Sequence, residues 1–209
     1  MRPGLLFIIS APSGAGKTTL VHGLVKRDPN IVTSVSHTTR PPRPGEVKDA
    51  SYHFIDDAAF TKMVEGRAFL EHARVFDHQY GTSKAWVEAR QAEGRDVILE
   101  IDWQGARQVR TLGADPITIF ILPPSMHALE QRLRARGEGD AAVARRMRDA
   151  RTELSHYAEY DYLVVNDDLD RALHDLGAIL DASRHSYRPL RLHFDTTLAA
   201  LLRDAGDIR

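Results

Sequence analysis

The sequence predicts an α/β fold: a central parallel sheet flanked by helices, a small inserted mixed β lobe and a mobile arginine-rich cap. Three observations lead to it. Short apolar runs alternate with helical patterns, the βαβ rhythm of a parallel sheet covered by helices. A glycine-rich loop ending in Lys17-Thr18 joins the first apolar run to the first helix. Two stretches break the rhythm, one made of short strand-like pieces and one dense in arginine.

In chain order, residues 5–9 are an apolar run too short for a secretory core, which needs about 7 to 15 residues, and read as a buried strand. A helix follows from residue 18 to about 26. Residues 31–36, 52–55, 70–76 and 79–82 are short strand candidates, with one helix at about 58–66 among them, and form the inserted lobe, about 33–82. The βαβ rhythm resumes with a strand at 97–101 and a helix from about 105. Next come a strand at 117–122, a helix at 126–136, a strand at 162–165 and a helix at 169–187. Between 137 and 142 the apolar pattern lapses into Gly-Glu-Gly-Asp-Ala-Ala, a flexible break between two arginine-bearing helices, so about 132–151 form the cap. The core is then 1–32, 83–131 and 152–190, all within one domain spanning 1–209.

Composition narrows the function. With 209 residues, 43% hydrophobic, the chain can bury a sizeable core. Lys plus Arg number 28 against 29 Asp plus Glu, so no global field holds nucleic acid or an anionic membrane, and any anion site must be local. The absence of cysteine excludes disulfides, thiolate zinc sites and cysteine nucleophiles, and makes the cytoplasm the default compartment. The ten histidines show no ligand spacing, and none is assigned to a metal. Monomer and homo-oligomer both remain open.

Ala11-Pro12-Ser13-Gly14-Ala15-Gly16-Lys17-Thr18 matches the phosphate-binding pattern GxxxxGK[ST], with Ala11 in place of the first glycine. Gly14 and Gly16 let backbone N–H groups curl round an anion, the helix N-terminus adds its positive end, Lys17 reaches the β and γ phosphates, and Thr18 can ligate Mg²⁺. Downstream, three prolines stiffen the segment from His37 to Glu46. In polyproline II, Arg40 and Arg43 project from one side about 9 Å apart, a pair of forks that suits a second phosphate group. On this segment alone, a surface loop with solvated arginines is the alternative.

These motifs, with Ser34-Val35-Ser36, Tyr80-Gly81-Thr82, Ile101-Asp102-Trp103-Gln104-Gly105 and Asn166-Asp167-Asp168, together resemble guanylate kinase of the bacterial type over about 5–188. The resemblance implies a P-loop nucleoside monophosphate kinase that transfers the γ-phosphoryl group of ATP to GMP, and to dGMP, with Mg²⁺ as cofactor. It places the ATP site on Ala11, Pro12, Ser13, Gly14, Ala15, Gly16, Lys17, Thr18, Thr19, Arg132, Arg136, Asn166 and Asp167. The GMP phosphate clamp falls on Arg40, Arg43, Tyr52 and Tyr80, and the guanine contacts on Ser36, Glu71, Thr82 and Asp102. Catalytic roles fall on Lys17, Arg40, Arg136 and Arg146, and the metal on Thr18. Chemistry supports Glu71 independently, because guanine presents N1–H and the N2 amino group side by side and one carboxylate can accept both.

Two features depart from the family pattern: Glu100 stands where many members have Asp, and the cap is about one residue shorter, which leaves Arg145, Arg146 and Arg148 as candidates to face the phosphates. Residues 132–151 carry seven arginines against three acids, with Arg132 and Arg136 expected on one helix face. Asp102-Trp103-Gln104-Gly105 also fits the DxxG of GTPases, but the NKxD motif of that class is missing. A non-catalytic relative would lack a working phosphate loop, and Lys17-Thr18 is intact. A kinase acting on another phosphate acceptor, such as a ribose bisphosphate, is the remaining rival.

Overall fold

The computed structural model describes residues 2–206 except 44, 51, 76, 138, 188 and 189. Its main sheet has five strands: β1 (Leu6–Ser10), β2 (Ile31–Thr33), β7 (Asp96–Leu99), β8 (Ile117–Leu122) and β9 (Tyr162–Val165). They lie in the order β2-β7-β1-β8-β9, and every pairing is parallel. A central strand of such a sheet is covered on both faces, so β1 and β7 are buried at every position and read as continuous rather than alternating apolar runs.

Alternation survives in which layer each side chain joins. Phe7 and Ile9 of β1 pack with Leu20, Val21 and Leu24 of α1 (Lys17–Arg27) and with Leu173 and Leu176 of α7 (Leu169–Ser183). Leu6 and Ile8 point the other way, into Val87 of α3 (Lys84–Ala92) and Ala106 and Val109 of α4 (Trp103–Thr111).

The inserted lobe is a separate mixed sheet in the order β4-β3-β6-β5, from β3 (His37–Thr38), β4 (His53–Phe54), β5 (Phe69–Val75) and β6 (His78–Ser83). The β3–β4 pairing is parallel and the others antiparallel. Helix α2 (Asp57–Glu65), capped by the Asp56 side chain on Ala59 N–H, seats Phe60 against Phe69. Gln108 of α4 fastens the lobe to the core by accepting from the His72 N–H and donating to the His72 carbonyl.

Four sequence expectations shift. The strand expected at 31–36 ends at Thr33 and belongs to the main sheet, with Ile31 beside Asp96 and Thr33 beside Ile98. Helix α3 was not anticipated, because it buries only Val87 and shows no apolar stripe. The break expected at 137–142 is shorter, since α6 (Asp140–Leu154) already begins at Asp140, where an acid in the first turn and two alanines favour helix. The helix expected to reach residue 187 stops at Ser183, and α8 (Arg191–Gly206) follows with Leu198, Leu201 and Leu202 exposed. Among the described residues no helix is long and apolar enough to cross a membrane.

Asp96 closes the core from below. It is fully buried at the start of β7 and accepts from Arg2 (Nη1 at 2.9 Å, Nη2 at 3.1 Å), from Arg184 Nε at 2.7 Å and from the Leu5 N–H at 2.9 Å. Arg184 also reaches Asp28 at the end of α1. Burial pushes the Asp96 carboxyl up, but Arg2, the Leu5 amide and Arg184 outweigh it and hold it below the usual aspartate range. Its contribution is therefore present above that range and lost as pH falls through the depressed value. Asp96→Ala leaves Arg2 without its carboxylate, frees the buried Leu5 N–H and takes one of three carboxylates from Arg184, and should cost about 3 to 5 kcal/mol in urea unfolding at pH 7; a loss below about 1 kcal/mol would refute this central role.

Candidate active site

The site forms where the strands of the main sheet end. The loop after β1 turns through Gly14 and Gly16, at φ +95° and +96°, a left-handed conformation that L side chains resist. Ala11 has no such φ, so the missing first glycine costs nothing here, and its methyl packs on the core instead. Ala15 N–H donates to the Pro12 carbonyl and closes the turn. A Cβ on Gly16 would stand 2.3 Å from Asn166 Nδ2, so the glycine is required by contact as well as by φ.

Asn166, at the end of β9, is buried and donates its Nδ2 to the Ala15 carbonyl at 2.7 Å. Arg132 of α5 (Met126–Arg134) spans the same place, donating Nη2 to the Asn166 carbonyl at 2.9 Å and Nη1 to the Ala15 carbonyl at 3.4 Å. Asn166 and Arg132 thus brace the loop from behind. Asp167 is spent locally on Arg171 and on the Asp168 N–H, while Asp168 caps α7 through the Arg171 N–H. Arg136 does not share a helix face with Arg132, because α5 ends at Arg134 and Arg136 lies exposed in the following turn. Of the three candidate arginines on α6, Arg146 is half-buried and donates Nη1 to Ser13 Oγ at 2.7 Å, while Arg145 and Arg148 are exposed.

Lys17 and Thr18 open α1 at the loop's end, and Thr19 lies exposed beside them. Burial lowers the Lys17 ammonium from its ordinary value, while Glu100, Glu153 and Asp102 hold it up. Glu100, at the end of β7, lies 4.0 Å from Lys17 Nζ and accepts from Thr18 Oγ1 at 3.3 Å. The longer carboxylate at this position therefore reaches the phosphate loop. Asp102 caps α4 by accepting from the Gly105 N–H at 2.9 Å. Glu153 of α6 was missed by sequence reasoning, because a lone acid on an arginine-rich helix carries no local signal. Its Oε2 is buried without a partner, and burial, opposed by the Ser13 N–H, lifts its carboxyl to about 7.

The lobe supplies the other half. An irregularity between Phe69 and Glu71 shifts the β5–β6 register so that Glu71 stands opposite Thr82. Both are buried, and Thr82 Oγ1 donates to Glu71 Oε1 at 2.6 Å. A Cβ on Gly105 would come within 3.0 Å of Glu71 Oε2, so that glycine leaves the carboxylate its room. Burial, with Asp102 adding to it, lifts the Glu71 carboxyl to about 7 against the Thr82 hydrogen bond.

Arg40 is buried beside the rings of Tyr52 and Phe54 and donates Nη2 to both oxygens of Glu46, at 2.7 and 2.9 Å. Glu46 also accepts from the Arg43 N–H, and its own N–H returns to the Arg43 carbonyl. The segment expected as polyproline II thus closes into a turn at 43–46, with Gly45 at φ +87°, because one carboxylate can satisfy both arginine positions; Pro44 lies outside the described residues. Arg43 is exposed, Tyr80 packs edge-on against Tyr52 with 5.9 Å between ring centroids, and Ser36 is half-buried and accepts the His53 N–H through its carbonyl.

A family model described as guanylate kinase matches residues 4–183. The guanylate kinase of Methylococcus capsulatus is 60% identical over 185 residues, covering 88% of this chain and 91% of that protein. That of Chromohalobacter salexigens is 53% identical over 206 residues, covering 98% and 96%. The crystal structure of guanylate kinase from Anaplasma phagocytophilum superposes with a TM-score of 0.73 at 33% identity, covering 88% of each chain.

Glu71 sets a pH dependence. An unperturbed glutamate titrates at 4.5 and the folded Glu71 at about 7, so the nucleotide-free protein loses stability as pH rises between those values. Glu71→Gln keeps an acceptor for Thr82 and removes the buried charge. At pH 8 it should be more stable than the wild type in urea unfolding, by up to about 3 kcal/mol, with the gap closing towards pH 5. A variant less stable than the wild type at pH 8 would contradict a burial-raised carboxyl.

Proposed function

The chain belongs to the guanylate kinase family and transfers the γ-phosphoryl group of ATP to GMP, giving ADP and GDP, and on that premise we propose which of its residues bind, select and react. The observation that carries the assignment is the buried Glu71–Thr82 pair beside Asp102. Guanine offers N1–H and its amino group as adjacent donors, Glu71 accepts both as the carboxylate, and Thr82, Asp102 and Ser36 complete the base site. Adenine lacks that donor pair. Deoxyguanosine monophosphate carries the same base edge and phosphate, so the same contacts serve dGMP.

Arg40, Arg43, Tyr52 and Tyr80 take the acceptor phosphate. Glu46 and the flanking rings hold the Arg40 fork in place beforehand, which reduces the ordering required on binding. The donor triphosphate lies in the loop 11–18, with Thr19 on the same helix turn, under the N–H groups and the positive end of α1. Asn166 and Arg132 serve the ATP site by fixing that loop. Asp167, bonded to Arg171, stands at the strand end where adenine would pass.

Phosphoryl transfer needs positioning and charge neutralisation more than a base. Lys17 neutralises the β and γ oxygens, Arg40 the acceptor phosphate, and Arg146 the transferring group; Arg136, on the turn after α5, joins them when the lid at 132–151 closes over the core and the lobe at 33–82. Mg²⁺ fits the residues present, because Thr18 Oγ1 and the Glu100 carboxylate form a hard oxygen pair at the loop. When bound it supplies positive charge to the phosphate oxygens. A cytoplasmic location belongs to the same reading, supported by a chain without cysteine.

Lys17→Ala should leave a folded protein with kcat reduced by about 10²-fold or more, since its charge matters most as the transition state forms. Near-wild-type turnover in a coupled ADP assay would sink the phosphate-loop assignment. Glu71→Gln replaces a charged two-point contact by one neutral bond and should lower kcat/KM for GMP by about 30- to 1,000-fold, or about 2 to 4 kcal/mol. The weak activity towards AMP should fall far less, and an unchanged GMP-to-AMP preference would remove Glu71 as the base reader.

A further inference from the structure

Helix α4 meets the lobe through residues spaced three apart, from its cap onward: Asp102, Gly105 and Gln108. Asp102 accepts from the Gly105 N–H, and a Cβ on Gly105 would come within 3.0 Å of Glu71 Oε2. One turn on, the Gln108 side chain takes both main-chain groups of His72, the residue after Glu71. Its Oε1 accepts from the His72 N–H at 3.0 Å, and its Nε2 donates to the His72 carbonyl at 2.8 Å. In an antiparallel strand the N–H and carbonyl of one residue point to the same side. β5 is the last strand of the lobe sheet, so for His72 that side is the free edge, away from β6. The Gln108 amide thus does at one residue what a neighbouring strand would do.

The edge that it closes is a weak one. The β5–β6 register shifts between Phe69 and Glu71, directly before the clasp, and an interrupted ladder at a sheet edge resists slippage poorly. A slip of one residue would turn Glu71 to the opposite face. His72 is exposed, so burial of its own side chain does not hold the strand at that point. Gln108 is held, because Ala106 and Val109 anchor α4 in the core.

We propose that Gln108 is a positioning residue for base selection: its two hydrogen bonds pin β5 in the register that aims Glu71 at guanine. It touches neither substrate. A mere fastener of the lobe would loosen all of the lobe's contacts alike, the phosphate clamp included, whereas a register pin acts on the choice of base. The inference rests on Glu71 reading the base, which the Glu71→Gln variant tests separately.

Gln108→Ala removes the clasp and keeps the helix, since alanine favours it and the buried face of α4 is untouched. At saturating MgATP it should lower kcat/KM for GMP about 5- to 30-fold and that for AMP less than about threefold, narrowing the GMP-to-AMP preference. Gln108→Glu keeps the length and the acceptor for the His72 N–H but loses the donor to the carbonyl, and should fall between. In a Glu71→Gln background, Gln108→Ala should change the preference less than about twofold, because both act through one carboxylate. A further measurement needs no nucleotide. The stability gap between Glu71→Gln and wild type at pH 8 should shrink to about half or less when Gln108→Ala is present in both, because a released strand lets the carboxylate reach water. Should Gln108→Ala fail to fold, Gln108→Glu decides by the same comparisons. A preference that Glu71→Gln narrows and Gln108→Ala leaves unchanged overturns the proposal. If Glu71→Gln itself leaves the preference unchanged, the base reading is what has failed; the pH 8 gap then decides the pin, an unaltered gap overturning it and a smaller one upholding it.

Discussion

The bond from Asn166 Nδ2 to the Ala15 carbonyl joins residues 151 positions apart, and the active site is organised around it. A loop that curls backbone N–H groups round an anion leaves carbonyls pointing out, and a buried carbonyl without a donor is costly. Asn166 and Arg132 supply those donors from behind the loop. Gly16 must be glycine because the brace sits where a Cβ would be.

Charge around the loop is arranged less comfortably than the core requires. Lys17 has Glu100, Glu153 and Asp102 for company, while Glu71 and Glu153 are both pushed to about 7 by burial. A core selected for stability alone would exclude these carboxylates. Their cost is offset elsewhere, notably at Asp96, where two arginines and a backbone amide surround a single carboxylate and bind the two ends of the chain's core together. Asp96 lies at the N-terminal end of β7, and Glu100 and Asp102 follow its C-terminal end, where an open parallel sheet places its ligand crevice.

The lobe shows how a small irregularity sets specificity. Without the shift between Phe69 and Glu71, alternation along β5 would turn the carboxylate to the opposite face, away from Thr82. Gly105 on α4 then leaves the space that the carboxylate fills, so the base site is shared between lobe and core and is held by the two hydrogen bonds of Gln108 to His72.

Local chemistry made the parallel sheet and the phosphate loop legible in the sequence: buried strands read as apolar runs, and a strand, a glycine-rich turn and Lys17-Thr18 have one shared geometry. Strand 117–122 was legible to the residue for that reason, and strand 162–165 was legible as an apolar run although three of its four residues are exposed. Elements without an apolar stripe were not, as α3 illustrates, and neither was the sheet to which residues 31–33 belong, because a three-residue strand does not encode its neighbour. Tertiary structure alone decided that Glu46 closes on Arg40 and that Arg146 rather than Arg145 or Arg148 reaches Ser13. Those outcomes depend on long-range distance and on burial, which raises or lowers a charge by its surroundings, and neither quantity is written in the residues that flank a side chain.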